Sequence, residues 1–353
     1  MPPPFSGSNE PNPGGSSTFL SMFSFPEIYD LVKKEFVPRL MATEMNAKKI
    51  FIYRAVPNAS GNSHQFNEAD FTTFASDKAE GAPVKKAKFG IGYHKIMYMK
   101  RIGLELPLTY EARMFNQWYT LGDIIQKLPQ TCPQRIDLDL THRVTFANAT
   151  SYVDMDGWTV DTTTGDGLSL ANVAHTLAFS SQTYSNIVPG NPQFTQSALE
   201  SAEMLAAYNT FDNFGIKVVM KFSHAFCADT PNVYNKIRQV TLSTADPTQA
   251  NPAVYPVYKG KYELLILPRL ASDANGFVDT SKQYWWGIGA FDGTGGDRFQ
   301  AYYGEWEAPH MQPAPTESNN ANDYSRDIWK FGTRAGYGIV TVSGRGFIIS
   351  MAS

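Results

Sequence analysis

The chain has 353 residues and a mass of 39.2 kDa, a length that suits about two domains. Its 30 Lys and Arg residues against 33 Asp and Glu residues give a formal charge of −3, which excludes a globally basic nucleic-acid-binding protein. No apolar run approaches the roughly 18 residues that a membrane helix needs, and the first residues lack the basic and apolar regions of a signal peptide. Two cysteines, Cys132 and Cys227, are too few for a disulfide framework.

The first hundred residues predict an arm, a short helix and a long hairpin. Residues 1–18 are rich in Pro, Gly and Ser and predict an unstructured arm, followed by a helix over 27–36 that ends at Pro38. Residues 40–60 predict extended chain. The chain then runs out through 62–80 and back through 84–101 as a two-stranded hairpin. Because isolated hairpins are marginal in water, this one must lie on another surface.

The middle of the chain predicts helices separated by turns. A helix after Pro107 is interrupted by Pro129 and Pro133. A second helix over 135–149 places four apolar residues on one face, and a third over 194–209 carries Ser197 and Glu200 at the spacing of a capping box. The apolar face of the second helix consists of Ile136, Leu140, Val144 and Ala147.

From residue 216 onward, strand patterns dominate. They cover the segments 216–222, 261–267, 283–291, 298–306, 337–342 and 346–350. The fold class is therefore α+β with segregated helices and strands. The pairs Trp285-Trp286 and Tyr302-Tyr303 predict core or interface rather than a ligand pocket.

Charge is distributed unevenly along the chain. Residues 33–101 carry 13 basic and 6 acidic residues, whereas residues 102–212 carry 4 basic and 12 acidic residues. The stretch 81–101 contains no acid at all. It reads as a solvated strand face, as a surface that contacts another copy of the chain, or as a surface that contacts nucleic-acid phosphates. The candidate intersubunit residues are Lys85, Lys86, Lys88, Lys95, Lys100 and Arg101.

A search for catalytic, cofactor and metal motifs assigns no residue to any of these roles. Asp137 and Asp139 lie close to His142, but on a helix the two acids point to different sides, which predicts solvated side chains. The loop Asp292–Asp297 offers oxygen ligands, yet it lacks the pattern of a calcium loop and is expected to be a hairpin tip. Gly90-Ile91-Gly92 lacks the third glycine of a dinucleotide site.

Five segments in a fixed order suggest a family. They are KKAKFGIGYHKIMYMKRIGLELPLTYE, THRVTFANA, DGLSLANVAHTLAFSSQTYSN, TQSALESAEMLAAYNTFDNFG and YELLILPRLASDAN. This order resembles the major capsid proteins of tailed phages, in particular the Mu-like major head subunit branch of the Hong Kong 97-type fold. The resemblance covers about residues 45–280 and, more loosely, the terminal strands.

The resemblance implies a layout and a function. It implies an N-terminal arm over 1–60, an extended loop over 61–104, a peripheral domain with a spine helix over 105–189 and 321–353, and an axial domain with insertions over 190–320. The function implied is that of a non-enzymatic head protein that self-assembles, as hexamers and pentamers, into an icosahedral or prolate shell around double-stranded DNA.

The resemblance also implies partners and a location. The partners are other copies of the chain, the enclosed DNA, a portal protein and, in some members, scaffold or decoration proteins; no membrane or cofactor is involved. The protein would be made in the host cytoplasm and reside in the virion. The alternatives are another virion protein (tail tube, decoration or jelly-roll capsid) and a β-rich hydrolase.

Overall fold

The computed structural model describes most of the chain beyond its first 29 residues. The described residues are 30, 33–34, 38–41, 43, 45–56, 61–71, 75, 77–81, 83–84, 86, 89–109, 121–242, 258–293, 298–312 and 328–353. The predicted arm, most of the helix predicted over 27–36, and the turn after Val56 lie outside these residues. No helix in these ranges combines the length and apolar character needed to cross a membrane.

From residue 46 onward, the described residues form three α-helices and fourteen strands, which confirms the α+β class. The helices are α1 (Leu121–Thr145), α2 (Gln196–Tyr208) and α3 (Pro231–Leu242). The strands are β1 (Ile52–Ala55), β2 (Ser63–Phe71), β3 (Phe89–Tyr98), β4 (Lys100–Thr109), β5 (Ser151–Val153), β6 (Thr159–Asp161), β7 (His175–Thr176), β8 (Thr183–Tyr184), β9 (His224–Ala228), β10 (Glu263–Leu267), β11 (Trp286–Gly289), β12 (Ala301–Met311), β13 (Ile328–Thr341) and β14 (Phe347–Ser350).

The chain divides into two compact units. The larger unit consists of Met45–Lys100, Ile136–Trp306 and Tyr337–Ser353, and the smaller consists of Met1–Glu44, Arg101–Arg135 and Glu307–Gly336. Two sheets of four strands are present, with the orders β10-β9-β11-β14 and β1-β12-β13-β4. The first sheet lies entirely in the larger unit, and its strands β9 and β10 are parallel. The pairs β2-β3, β5-β6 and β7-β8 form separate two-stranded sheets.

The core of the larger unit surrounds its four-stranded sheet. Phe194, which precedes α2, meets Trp286 of β11 edge-on at 5.0 Å between ring centroids, and Phe226 of β9 stacks on Phe347 of β14 at 5.1 Å. Trp285 and Trp286 are both buried, which confirms the core assignment of this pair. Both ends of the segment 194–226, which contains α2, are therefore held by aromatic packing.

In the smaller unit, charged and polar side chains connect the strands. Glu307 of β12 accepts ion pairs from Arg101 of β4 at 3.1 Å and from Arg334 of β13 at 2.8 Å. The buried thiol of Cys132 on α1 lies 3.3 Å from the hydroxyl of Thr333. These contacts link β4, β12, β13 and α1 within this unit.

The prediction that Pro129 and Pro133 break the spine region into two helices is wrong, since α1 runs without interruption through both prolines. Thr131, which lies between them, donates its hydroxyl to the carbonyl oxygen of Leu128 at 2.8 Å and so provides a partner inside the helix. The apolar face predicted for residues 136–147 is confirmed, because Ile136, Leu140, Val144 and Ala147 are buried.

Two other predictions need correction. Helix α2 is capped by Thr195, whose hydroxyl accepts from the N–H of Ala198 at 3.1 Å, and not by Ser197. The segment 216–222 has alternating exposure but forms only an isolated bridge between Phe211 and Lys217, because no neighbouring strand supplies a ladder of hydrogen bonds.

The sequence reading also missed regular structure in two places. The sequence analysis predicts no helix over 231–242, although the buried residues Val233, Ile237 and Thr241 recur every four positions there. Part of the extended segment predicted over 40–60 is instead a 3₁₀ helix at Asn46–Ile50.

Three turns share the pattern Asp-x-x-Gly followed by an apolar residue, at Asp154–Trp158, Asp212–Ile216 and Asp273–Phe277. In each, the aspartate Oδ1 accepts from the N–H groups two and four residues further on, at 2.7–3.0 Å. The glycine has a φ of +82 to +84°, a conformation that other residues rarely adopt. The side-chain hydrogen bonds and the glycine together fix the direction of the apolar residue.

Candidate functional site

The long hairpin predicted from the sequence is confirmed by the antiparallel pairing of β2 with β3. Ser63 pairs with Tyr98, Gln65 with Ile96 and Asn67 with His94, and a bulge follows Asn67. Alternate side chains of a strand point to opposite faces, so the hairpin has an inner and an outer face. The inner face packs on the body of the larger unit, and the outer face is exposed.

Apolar contacts hold one end of the inner face. Met97 is fully buried in a cluster with Val56 and Val340, and Phe66 stacks on Tyr302 at 4.3 Å between ring centroids. A Cβ atom on Gly304 of β12 would lie 2.8 Å from the end of the Met97 side chain. The hairpin thus lies directly on the strands beneath it.

A buried ionic group, here called the anchor cluster (Glu68, Asp70, Asn213 and Arg345), holds the other end. Arg345 Nη2 lies 3.1 Å from Glu68 Oε1, and Arg345 Nη1 lies 3.4 Å from Asp70 Oδ2. The side-chain amide of Asn213 donates to both carboxylates at 2.8 Å. The two hairpin carboxylates therefore share one cation and one amide donor from elsewhere in the larger unit.

The neighbouring groups raise the pKa of the Arg345 guanidinium. Burial would lower the pKa of the Arg345 guanidinium, but Glu68, Tyr184 and Asp70 outweigh this effect and raise it. Burial raises the pKa of the neighbouring Tyr184 hydroxyl. A cavity of about 10 Å³ beside Arg345 has room for about one water molecule. The cluster is thus a sealed structural contact with no space for a substrate.

A second buried pair lies beside the anchor cluster. His175 Nδ1 is 2.8 Å from Asp166 Oδ2, while its Nε2 is 3.1 Å from the carbonyl oxygen of Leu170. Each ring nitrogen of His175 therefore has an oxygen atom as its neighbour, which fixes the orientation of the imidazole. Burial would raise the pKa of Asp166, but the hydrogen bonds from His175 and Thr164 outweigh it and hold the pKa below its ordinary value.

The outer face of the hairpin carries large apolar side chains that nothing in the described part of the chain covers. Ile91 is 56% exposed, Ile96 is 38% exposed and Tyr98 is 68% exposed. We call the exposed set the hairpin outer face; its residues are Ser63, Gln65, Asn67, Ile91, His94, Ile96 and Tyr98. Exposed apolar side chains grouped on one face of a strand pair are typical of an interaction surface.

Three of the six candidate intersubunit residues form ion pairs within the chain. Lys95 pairs with Asp161 at 2.7 Å and Arg101 with Glu307 at 3.1 Å, while Lys100 pairs with Asp139. Lys86 is exposed, and Lys85 and Lys88 lie outside the described residues. Part of the complementarity between the basic stretch and the acidic 102–212 region is therefore satisfied within one chain.

The prediction that Asp137 and Asp139 are solvated is wrong, because both are buried. Asp137 lies 3.4 Å from Arg269 Nε, and Asp139 pairs with Lys100 and accepts from the Tyr337 hydroxyl. Helix α1 is covered on nearly all sides, so acids on different sides of the helix both meet neighbouring elements. Each of these buried acids is paired with a cation that is itself partly exposed.

A serine and a histidine also meet on β9 and the residue before it. Ser223 Oγ lies 2.8 Å from His224 Nδ1, and Glu263 lies 3.6 Å from His224 Nε2. Burial lowers the pKa of His224 although Asp292 and Glu263 oppose it. Ser223 is itself buried, which keeps a substrate away from its hydroxyl. Asp292 is exposed, and residues 294–297 of the predicted hairpin tip lie outside the described ranges.

Comparisons with known proteins give structural similarity at low identity. The chain is similar to the capsid of Ralstonia phage GP4, with 14% identity, coverage of 88% of this chain and 89% of that chain, and a TM-score of 0.47. It is also similar to the capsid of the cyanophage P-SCSP1u, with 10% identity, 86% coverage of each chain and a TM-score of 0.48. A virus-like particle from Pyrococcus furiosus matches with 10% identity, coverage of 91% and 97%, and a TM-score of 0.42.

These similarities do not by themselves assign a function, since the three TM-scores are below 0.5. No protein-family model matches the sequence, and no curated protein matches it.

The sequence reading missed the anchor cluster. Arg345 stands alone in the apolar segment Val342–Ser350, and a lone arginine in such a segment needs a buried acid as its partner. The acids are on β2, which the sequence predicted only as part of the outgoing strand of the hairpin. The glycines of Gly90-Ile91-Gly92 prove to serve packing, because a Cβ on Gly92 would lie 2.4 Å from the Asn213 side-chain nitrogen.

Proposed function

We propose that this chain is the major capsid protein of a tailed phage, with a Hong Kong 97-type fold of the Mu-like branch. Copies of the chain would associate as hexamers and pentamers into a shell around double-stranded DNA. The resemblance of five ordered segments supports the family, and the exposed hairpin outer face carries the proposal of self-assembly. The domain boundaries predicted from the resemblance belong to the same proposal.

The hairpin suits assembly because its orientation is fixed before any partner binds. The anchor cluster and the Met97 contacts hold its inner face, so the row of Ile91, Ile96 and Tyr98 is presented on a supported strand. A preorganised surface loses little conformational entropy when it binds. In a shell each copy makes several contacts at once, so individually modest interfaces become stable together.

Because Lys95, Lys100 and Arg101 are paired within the chain, fewer basic residues are left for contact with another copy. Lys86 is exposed, and with Lys85 and Lys88 it forms the part of the basic stretch for which an intersubunit role is still proposed. Contact of these lysines with the phosphates of the enclosed DNA is the alternative. Portal, scaffold and decoration proteins stay as partners implied by the resemblance.

Negative-stain microscopy and sedimentation of the purified full chain test the proposed function. Closed shells of uniform size are the expected result, because a capsid subunit curves its contacts into a closed surface. Open tubes would instead support a tail-tube protein. A species that stays monomeric across concentrations and salt conditions, with measurable esterase or glycosidase activity, would overturn the proposal in favour of a hydrolase.

A further inference from the structure

The larger unit carries a second exposed apolar feature on the β5-β6 hairpin, far along the sequence from the long hairpin. Trp158 is 74% exposed at its tip, and Val153 and Met155 are exposed beside it. We call these three residues the Trp158 knob. Residues 151–170 contain four aspartates and no lysine or arginine, so the region that carries the knob is acidic.

The knob is held rigidly by its own turn. Asp154 Oδ1 accepts from the N–H groups of Asp156 and Trp158 at 3.0 and 2.9 Å, and the N–H of Asp154 donates to the carbonyl of Trp158 at 2.9 Å. Tyr152, at the base of the hairpin, stacks on Phe146 at 4.4 Å between ring centroids. A large aromatic side chain on so fixed a support is the residue type that dominates binding at protein interfaces.

The same unit contains an apolar groove of matching character. It has a volume of about 800 Å³ and lies between α2, the segment 217–222 and the turn at 260–262. Its apolar lining includes Met204 and Tyr208 of α2 and Val219, all of them exposed. We call this cavity the α2 groove.

The rim of the α2 groove is basic. Lys217 and Lys221 are exposed there, and Lys217 Nζ lies 5.1 Å from the centre of the Tyr208 ring. The acid Glu203 is already paired with Lys261 at 2.7 Å and accepts from the Tyr262 hydroxyl at 2.5 Å. Glu200 is the other acid of the rim. The free charge that the groove offers is therefore mainly that of Lys217 and Lys221.

We propose that the Trp158 knob of one copy of this chain inserts into the α2 groove of a second copy. The two features are both apolar and opposite in charge, since Asp156 beside the knob would face Lys217 and Lys221. Both are exposed in the single chain, so each is free to bind another copy. Because knob and groove are different surfaces, every copy can donate one knob and accept another, which builds rings or closed surfaces.

This inference rests on the proposed function only in requiring that copies of the chain associate. A disulfide experiment tests the knob-and-groove contact independently of shell formation. One variant carries Thr159→Cys, an exposed position next to the retained Trp158, and another carries Val219→Cys. The native Cys132 and Cys227 are buried and do not compete. After mixing and mild oxidation, the expected result is a covalent dimer of the two variants. The control replaces Thr159→Cys by Phe277→Cys, a residue that is 71% exposed on a different turn.

A dimer yield no greater than that of the control would overturn the knob-and-groove contact. If wild-type shells nevertheless form, the proposed function stands and only this contact fails. Charge reversal gives a second readout: Asp156→Lys should weaken assembly, and adding Lys217→Glu with Lys221→Glu should restore it. Absence of rescue in a triple variant that unfolds with the wild-type transition would also count against the contact.

Discussion

Arg345, which lies two residues before the final strand β14, is 3.1 Å from Glu68 in β2 of the long hairpin. Both side chains are almost completely buried. Charges removed from water are costly unless they are paired, so the hairpin can lie correctly only when this contact forms. The pair therefore connects the fold of the chain to the orientation of its proposed assembly surface.

Replacing Arg345 should destabilise the larger unit strongly. Arg345→Met leaves the carboxylates of Glu68 and Asp70 buried without their cation, and the expected loss is about 3–5 kcal/mol. Urea unfolding followed by circular dichroism measures it. Arg334→Met, which removes a partly exposed arginine of the smaller unit, is the control and should cost about 1 kcal/mol or less.

A triple variant that also removes the two acids tests the mechanism. Adding Glu68→Gln and Asp70→Asn to Arg345→Met should recover a large part of the lost stability, because no unpaired charge remains. If the triple variant is as unstable as the sum of its single changes, the ion pairs are not what fixes the hairpin.

Acid should destabilise the chain through Asp166. Its pKa is held below the ordinary 3.8 in the folded chain, so the unfolded chain binds the proton more readily. This stabilising contribution is complete above the ordinary pKa and is lost as the pH falls through the lower folded value. Urea midpoints between pH 6 and pH 2.5 should fall less steeply for Asp166→Asn than for the wild type.

The hairpin outer face should affect assembly without affecting the fold. Tyr98→Lys and Ile91→Lys change exposed side chains, so the free energy of unfolding, measured with urea, should stay within about 0.5 kcal/mol of the wild type. Shell formation, measured by sedimentation, should be lost because a charge enters an apolar contact. Met97→Lys, one residue away on the inner face, should unfold the larger unit instead. Normal shells from the double outer-face variant would contradict the proposed role of this face.

Lys85, Lys86 and Lys88, which precede β3 in the sequence, offer a test that distinguishes contact between copies from contact with DNA. Single exposed pairs contribute about 0–1 kcal/mol, so only replacement of Lys85, Lys86 and Lys88 together by Glu is expected to act. If they contact a neighbouring copy, the triple variant forms no shells even without DNA. Empty shells of normal size that fail to retain DNA would identify the lysines as phosphate contacts.

The two cysteines should be unreactive in the native protein. Burial raises the pKa of Cys227 to about 12 and also raises the pKa of the Cys132 thiol, so neither forms the reactive thiolate near neutral pH. A disulfide-exchange reagent at pH 8 should detect no thiol in the native chain and two after unfolding. Rapid reaction of either thiol in the native state would contradict the packing around it.

Local patterns predicted the elements that depend on local physics. The antiparallel hairpin, the stripe of α1 and the strands 263–267, 286–289 and 347–350 were all visible in the spacing of apolar residues. The continuity of α1 was not visible, because Pro129 and Pro133 normally interrupt a helix and tertiary packing overrides that preference here.

The candidate site was only partly predictable, because its key contacts join distant parts of the chain. Asp70 and Arg345 are 275 residues apart, and no local pattern connects a polar strand with a lone arginine. The burial of Asp139 likewise follows from elements that cover α1 on several sides, which helical periodicity alone cannot show. The basic stretch was recognised, but its internal partner Asp161 could be identified only in three dimensions.

The three Asp-x-x-Gly turns have a consequence for how subunits become ready to assemble. Each turn closes through hydrogen bonds among five successive residues, so it can form as soon as those residues leave the ribosome, before any distant partner exists. Early closure fixes which side chain stands at the apex and prevents slippage of the flanking segments. A chain needed in many identical copies thereby gains uniformity, since every copy reaches the same local geometry independently of its neighbours.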